Sequence, residues 1–565
     1  MPVLEPVAVL SCLLQQKMNK SRVKLILWGI GGLLLIGGIG YGVQRISLLW
    51  ASFQQGADPA SALNQSVAIP LELAAKLEWL SDAVDTGREM EPFTRYQIET
   101  AYLQAWRQWN LSFAKGEPTG LKTYFVEPAL DMVGQTVVTT AAAGWQIEQV
   151  NTRHQLKLHF YAADGSIVSF TDQAAVMVQA VWDESGSLVM VEETAVALDV
   201  VMLLEDGNWR IRHWVRRALE PGDNQIDQEP VAPLPQTIRG INYYPQATPW
   251  ELFWPEYDPA VIAADLEIIR ELQLNTVRIF IPFAQFGGAE VEPDLLSRVG
   301  DFLDQADENE LQVIITLFDF RTDYQLLLWP QADRHLETIL TQFADHPAVW
   351  AWDIKNEPDL DYQHQEKAII DAWLIHMVHQ ARLYAPNQLV TIGWSSPETA
   401  VTLADQVDFV SFHYYGPAAE LPNRYDTLKT AVGDKPLLLG EFGLPTWNSF
   451  FFPNGHTQPE QAVYYADILE YVAATNSLGY IAWTLFDFDH VPATVAGRWP
   501  WQTGPQRNLG VIAADETPKL AADVLRTPDE NLIRPPIYSR FLKPFWLTLY
   551  VIGLMVLLFV GIRLK

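Results

Sequence analysis

The sequence predicts an α/β chain built on a closed (β/α)8 barrel, with a smaller α+β domain ahead of it and a transmembrane helix at each end. Three observations predict this. From residue 239 onward, eight short apolar runs alternate with amphipathic helical stretches, the rhythm of a parallel sheet. Between 93 and 218 one long amphipathic segment gives way to alternating strands joined by turn dipeptides. At 25–43 and 544–562 lie uncharged runs of 19 residues each, close to the ~20 that cross a bilayer as helix.

Composition narrows the function classes. The 565 residues hold 38 Lys+Arg against 68 Asp+Glu, a net charge of −30, with 49% hydrophobic residues. That balance excludes a disordered acidic chain and a nucleic-acid binder. Cys12 is the single cysteine, so no internal disulfide can form. The 21 Trp and 20 Tyr supply flat apolar faces with polar tips, which suit sugar rings as well as cores.

Taken in order, residues 1–24 form a cytoplasmic segment whose Lys17, Lys20, Arg22 and Lys24 precede the first apolar run, 25–43, and hold it as an uncleaved anchor. The chain between the two apolar runs then lies outside the plasma membrane. Residues 51–535 hold 29 Lys+Arg against 67 Asp+Glu, net −38, which disfavours anionic partners. Leu71, Leu73, Leu77 and Leu80 are spaced for a helical spacer over 51–92.

Over 93–115 the apolar positions Ile98, Tyr102, Trp106, Trp109 and Phe113 predict a helix, and strands follow, turning at Asp164-Gly165, Ser185-Gly186 and Asp206-Gly207. His154, His159 and His213 show no acid at a telling spacing and are expected to be structural. A helix followed by a curved antiparallel sheet ending on DGNWRI resembles the nuclear-transport-factor-like (SnoaL-like) cone fold over 93–218. That resemblance implies binding or spacing, with a protein partner as its candidate ligand. Pro221, Pro230, Pro233 and Pro235 mark 219–237 as a semi-rigid linker.

The barrel, 238–526, has predicted strands near 239–244, 275–281, 311–318, 349–354, 389–394, 407–413, 436–441 and 479–486. Active sites of such barrels lie at the carboxyl ends of the strands. There the fourth strand ends in Asn356-Glu357-Pro358, and Pro358 biases Glu357 toward extended backbone. The seventh ends in Glu441, flanked by Gly440 and Gly443. Strands four and seven stand across the mouth, so two carboxylates converge on one bond, as glycoside hydrolysis requires.

These residues resemble the clan-A retaining glycoside hydrolases, in particular the family-five cellulase and mannanase group. The supporting matches are Arg278, His413-Tyr414-Tyr415 and Trp483. The resemblance implies that Glu357 is the general acid/base, with a raised pKa, and Glu441 the nucleophile. It also implies that Arg278 and Tyr415 steady Glu441, that Asn356 and His413 bind sugar hydroxyls, and that Trp483 is a platform under the ring being cleaved. Trp394, Trp447, Trp499 and Trp501 occupy plausible positions for neighbouring sugars. The third strand ends in Leu317-Phe318-Asp319-Phe320, without the histidine many family members carry. No metal ligand set and no cofactor are implied.

The expected activity is cleavage of O-glycosidic bonds in a neutral glucan- or mannan-like polysaccharide by double displacement. A transglycosylase acting in polysaccharide export or remodelling uses the same intermediate, and a non-catalytic glycan-binding or assembly protein could use the same barrel as scaffold.

Overall fold

The computed structural model describes residues 69–70, 73–217, 237–450, 455–527 and 534–563. The first apolar run, Cys12, the first part of the spacer and nearly all of the linker lie outside these residues.

The α+β domain opens with strand β1, Lys76–Trp79, where the leucine spacing had predicted helix. Leu77 and Trp79 instead pack on the domain core while β1 runs parallel to the next strand, pairing Lys76 with Arg153 and Trp79 with Leu156. Helix α1, Pro92–Lys115, starts on a proline whose missing N–H costs nothing at that position and ends at Gly116 with φ 67°. Its Ile98, Tyr102, Trp106 and Phe113 are buried. Helix α2, Ala129–Ala142, was not anticipated, because its apolar face is short: only Ala129, Val133 and Val137 are buried.

Four long strands follow, β2 (Gln146–Tyr161), β3 (Ile167–Trp182), β4 (Leu188–Glu205) and β5 (Asn208–Arg217), in sheet order β1-β2-β3-β4-β5. The β2–β5 pairs are antiparallel. His154 has an acid after all: its Nδ1 is 2.7 Å from Asp172 Oδ2, both side chains fully buried. Their 18-residue separation hides the pairing, and two of the three irregularities in the β2–β3 register lie beside His154.

The barrel comprises β6 (Ile238–Asn242), β7 (Thr276–Pro282), β8 (Gln312–Asp319), β9 (Val349–Asn356), β10 (Leu389–Trp394), β11 (Val410–Tyr414), β12 (Leu437–Phe442) and β13 (Gly479–Ala482). All eight pairings are parallel and the sheet closes on itself. Helices α3 (Pro259–Glu271), α4 (Pro293–Glu308), α5 (Trp329–Phe343), α6 (Lys367–Tyr384), α7 (Leu421–Val432) and α8 (Gln458–Ala474) connect strands. Two of their starts are capped by side chains: Asp258 accepts from the Ala260 N–H at 2.9 Å, and Thr457 with Glu460 forms a capping box. After β13 come α9 (Pro500–Arg507) and α10 (Leu520–Arg526).

The two domains share one core, since Val150, Val178 and Ala180 of the sheet join the barrel's buried cluster. Polar contacts fasten the same seam. His376 of α6 bonds Asp333 of α5 through Nε2 at 2.7 Å and Glu193 of β4 through Nδ1. Lys76 of β1 pairs with Glu337 of α5.

Helix α11, Pro544–Arg563, occupies the position of the second apolar run. Its side chains from Tyr550 to Val560, Gly553 aside, are between 47% and 70% exposed. Among the described residues, nevertheless, no helix is long and apolar enough to cross a membrane; the described side chains of α11 end at Val560.

Candidate active site

The carboxyl ends of the strands bring together most of the polar residues singled out in the sequence. Glu357 follows β9 directly, with φ 46° and ψ 51°, so it is left-handed and not extended as Pro358 alone would suggest. Its N–H donates to Gly393 O at 2.7 Å, which fixes this turn against β10. Glu441 is on β12 and 5% exposed. His413 of β11 lies between the two, and one carboxylate oxygen of each glutamate and a ring nitrogen of His413 all lie within 4.8 Å of one another.

Arg278, on β7, is buried in an otherwise apolar strand and organises this cluster. Nη1 donates to Glu441 Oε1 at 2.6 Å and to Asn242 Oδ1 at 3.0 Å; Nη2 donates to Asp353 Oδ2 at 2.6 Å and Asn356 Oδ1 at 2.9 Å. Nε donates to Asp353 Oδ2 at 3.1 Å, so all five guanidinium N–H groups are used. Burial alone would favour loss of the proton, but Asp353 and Glu441 outweigh it and push the Arg278 pKa up. The guanidinium is therefore a fixed charge that neutralises a buried carboxylate.

Tyr415 Oη donates to Glu441 Oε2 at 2.8 Å, while its ring is half exposed at 46%. Burial of the hydroxyl and the Glu441 charge raise its pKa, so it remains a donor. Thus each oxygen of Glu441 has a hydrogen-bond donor.

Glu357 behaves otherwise than expected. Burial raises its pKa, but the hydrogen bond from His413 and the charges of His413, Arg278 and Lys355 prevail, and the net direction is downward. His413 moves the opposite way: burial lowers its pKa, while Glu441 and Glu357 raise it above its ordinary value. His413 is fully buried with Nδ1 on Glu357 Oε1 at 2.8 Å, so it is turned away from the sugar hydroxyls that the resemblance assigned to it. A register irregularity between Phe412 and His413 aims the ring between the glutamates.

The tryptophans divide. Trp483 follows β13 and stands edge-on to Tyr244 and Phe280, with centroids 6.3 and 5.9 Å away. A Cβ on Gly443 would come within 2.4 Å of Trp483 O, so glycine is needed for this approach. Trp394 is 1% exposed and belongs to the core, which corrects its reading as a sugar platform: it ends β10 pointing into the packed side. Trp447 lines a cavity of about 220 Å³ with Pro500, Thr503 and Arg507. Trp499 and Trp501 are 59% and 51% exposed and stacked on each other, rings 5.0 Å apart and 6° from parallel.

Several residues of the site were missed. Asp353 also accepts from Thr316 Oγ1 at 2.9 Å and from the Gly393 N–H at 2.8 Å, and Asn242 donates to Gly440 O and Ala482 O, both at 3.2 Å. The signal was present: each is a polar residue inside an apolar strand, where it must find partners. Asp319 is 5% exposed at the end of β8, and burial pushes its pKa up to about 6. Glu357, His413 and Glu441 are metal-binding residue types, but the Arg278 guanidinium on Glu441 already supplies the cation.

Residues 237–489 match the family model described as cellulase (glycosyl hydrolase family 5). Among curated proteins none matches the chain. Similar solved structures include GH5_18 from Streptomyces cattleya in complex with GlcNAc, 18% identical with a TM-score of 0.44, covering 53% of this chain and 82% of that one. An exo-β-1,4-mannosidase from Opitutaceae bacterium strain TAV5 is 19% identical with a TM-score of 0.42, covering 51% and 58%. A GH2 β-galacturonidase from Eisenbergiella tayi bound to galacturonate is 15% identical with a TM-score of 0.42, covering 69% and 72%. The barrel of this chain is a glycosyl hydrolase family 5 domain, and the chain that carries it is a glycoside hydrolase.

Proposed function

We propose that the chain is a membrane-anchored retaining glycoside hydrolase that cleaves a neutral β-linked polysaccharide, glucan- or mannan-like, with Glu441 as nucleophile and Glu357 as general acid/base. The observation that carries this reading is the carboxylate spacing: the paired oxygens lie within 4.8 Å. Retaining enzymes hold their carboxyl groups roughly 5–5.5 Å apart, whereas inverting ones leave about 6.5–9.5 Å for a water.

Glu441 attacks the anomeric carbon while the leaving oxygen takes a proton from Glu357, giving a covalent glycosyl-enzyme. Water activated by Glu357 then releases the sugar with retained configuration. Arg278 and Tyr415 hold the Glu441 carboxylate in place through one hydrogen bond to each oxygen. Asn356, whose Oδ1 is held by Arg278, has an amide N–H2 left to meet the hydroxyl beside the reacting carbon. Trp483 forms the floor, and Trp447, Trp499 and Trp501 extend the binding surface. The net charge of −38 over residues 51–535 supports a neutral rather than anionic glycan.

Anchoring is supported by the two apolar runs at 25–43 and 544–562 and by the exposed apolar surface of α11. With the basic amino-terminal segment inside, the catalytic domain is extracytoplasmic at the plasma membrane. The α+β domain, fastened to α5 and α6, serves as a binding or spacing element for a protein partner.

The test is product analysis. Full-length chain in detergent is given a panel of soluble β-glucans and β-mannans, and the anomer formed first is followed by NMR. Release of the β-anomer supports the reading; release of the α-anomer, or binding without turnover, overturns it.

A further inference from the structure

We propose that Asp319 and Lys355, at the ends of β8 and β9, form a clamp that grips adjacent hydroxyl groups of the sugar ring lying on Trp483, so that the site selects a neutral ring unsubstituted at that edge. This rests on the reading of Glu357 as acid/base, Glu441 as nucleophile and Trp483 as floor, and goes beyond it by naming what selects the ring.

A break in β8 places Asp319. Thr316 faces the barrel interior, where its Oγ1 donates to Asp353. Two-residue alternation would put Phe318 on that same face and Asp319 on the opposite one, against the helices. The reverse is found. Phe318 has φ 49° and packs its ring among Phe283, His335 of α5 and Trp373 of α6, with centroids 5.6, 5.3 and 5.0 Å away. Phe320, on the other side of Asp319, has φ 59°. Two bulky residues in the left-handed region are strained, and such strain persists where a binding site requires it. Here it exchanges the two faces, sending the phenyl ring to the helix layer and the carboxylate to the mouth. Backbone bonds fix the exchange: the Phe283 N–H donates to Asp319 O at 3.2 Å and the Arg321 N–H to Phe318 O at 3.1 Å.

In the mouth, the Asp319 charge acts on the hydroxyl of Tyr244. The Tyr244 ring is stacked on Phe280 at 5.2 Å and stands edge-on to Trp483 at 6.3 Å. One side chain therefore separates Asp319 from the floor.

Lys355 arrives by regular alternation. It lies two residues beyond Asp353, which points inward to Arg278. Lys355 is 4% exposed, yet among the described residues no hydrogen bond holds its Nζ. Its ion pair there is with Asp361 Oδ2 at 3.4 Å, an oxygen that already accepts from Tyr324 Oη at 2.5 Å. Buried ammonium groups need partners for their donors, so Nζ retains capacity for a ligand. The Lys355 charge acts on both Asp319 and Glu357, which puts it beside the acceptor and beside the proposed acid/base. β8 and β9 are neighbours in the barrel. An acceptor on one and a donor on the next suit two adjacent sugar hydroxyls, each of which can both donate and accept.

The experiment measures kcat/KM of full-length wild type, Asp319→Ala, Asp319→Asn and Lys355→Met on 2,4-dinitrophenyl β-glucoside and β-mannoside and on the monodeoxy analogues of whichever is cleaved. This leaving group needs no proton, so effects on Glu357 as acid stay out of the comparison. In wild type, removing either gripped hydroxyl costs about 10- to 10²-fold. Asp319→Ala and Lys355→Met lose about as much on the parent glycoside, and each then loses less than about threefold more when its own hydroxyl is removed. Asp319→Asn keeps the side-chain shape and shows the same coupling with a smaller loss. The 2-deoxy analogue, whose missing hydroxyl belongs to Asn356, loses equally in wild type and in all three variants. A thermal midpoint near that of wild type shows that each variant is folded. Deoxygenation that costs wild type nothing beyond the 2 position, or that costs wild type and every variant alike, overturns the clamp while leaving the glutamate roles standing. Wild type that cleaves neither glycoside nor any β-glucan or β-mannan overturns both.

Discussion

Arg278 of β7 and Glu441 of β12 form a buried ion pair, Nη1 to Oε1 at 2.6 Å, with both side chains at most 6% exposed. The same guanidinium holds Asp353 and Asn356, so one residue ties Glu441, the proposed nucleophile, to the strand that leads into Glu357, the proposed acid/base.

Arg278→Met therefore strands two buried carboxylates. Breaking a buried pair from one side costs about 3–5 kcal/mol. The expected result is a lower thermal midpoint together with a fall in kcat/KM of at least about 10²-fold, checked by calorimetry and steady-state kinetics.

Tyr415→Phe removes one donor from Glu441 and leaves the other in place. A hydrogen bond to a charged group contributes about 1.5–3 kcal/mol, so kcat should fall about 10- to 10²-fold with the fold unchanged. A kcat within twofold of wild type would show that the Tyr415 contact does not orient the nucleophile.

The seam between the domains has its own pH signature. Burial opposes charge on His376, but Asp333 and Glu193 raise its pKa from 6.5 to about 10. Burial also lifts Asp333, whereas at Glu193 burial is outweighed by the charge and hydrogen bond of His376, which lower it. A folded pKa above the unfolded one means that the stabilisation is complete below about pH 6.5 and is lost as pH rises through about 10. The midpoint of wild type should drop across that window, and His376→Gln should start lower and drop less, as measured by thermal unfolding at a series of pH values.

Trp499 and Trp501 lie outside the catalytic cluster and present a stacked aromatic pair to solvent. Replacing both by alanine should raise KM for a polymeric substrate severalfold and leave kinetics on a small aryl glycoside unaltered. Equal effects on both substrates would place the pair in folding and not in binding.

Much of this site was legible because barrel strands are short apolar runs, and a polar residue at the end of one stands out. Glu357 and Glu441 were visible in that way, and Arg278 and Tyr415 through the family resemblance. Asp353 and Asn242 were overlooked although each is a polar residue inside an apolar strand, because the partners that such a residue must find come from other strands. His413 was visible, but its orientation depends on a local irregularity in β11 that two-residue alternation cannot reveal. Trp394 shows the reverse failure, since a tryptophan at a strand end reads alike whether it faces the mouth or the packed helices. Strand β1 was misread because a four-residue edge strand is too short to display its own period, and parallel pairing with β2 decided its conformation.

The central claim is that Glu441 forms a covalent bond to the sugar. Incubation of the full-length chain with a 2-deoxy-2-fluoro dinitrophenyl glycoside, followed by mass spectrometry of the digested protein, tests it most directly. The account predicts one equivalent of fluoro-sugar on the peptide containing Glu441 and none in Glu441→Ala. A label on a different residue, or substrate cleaved with inversion and no adduct, would contradict it.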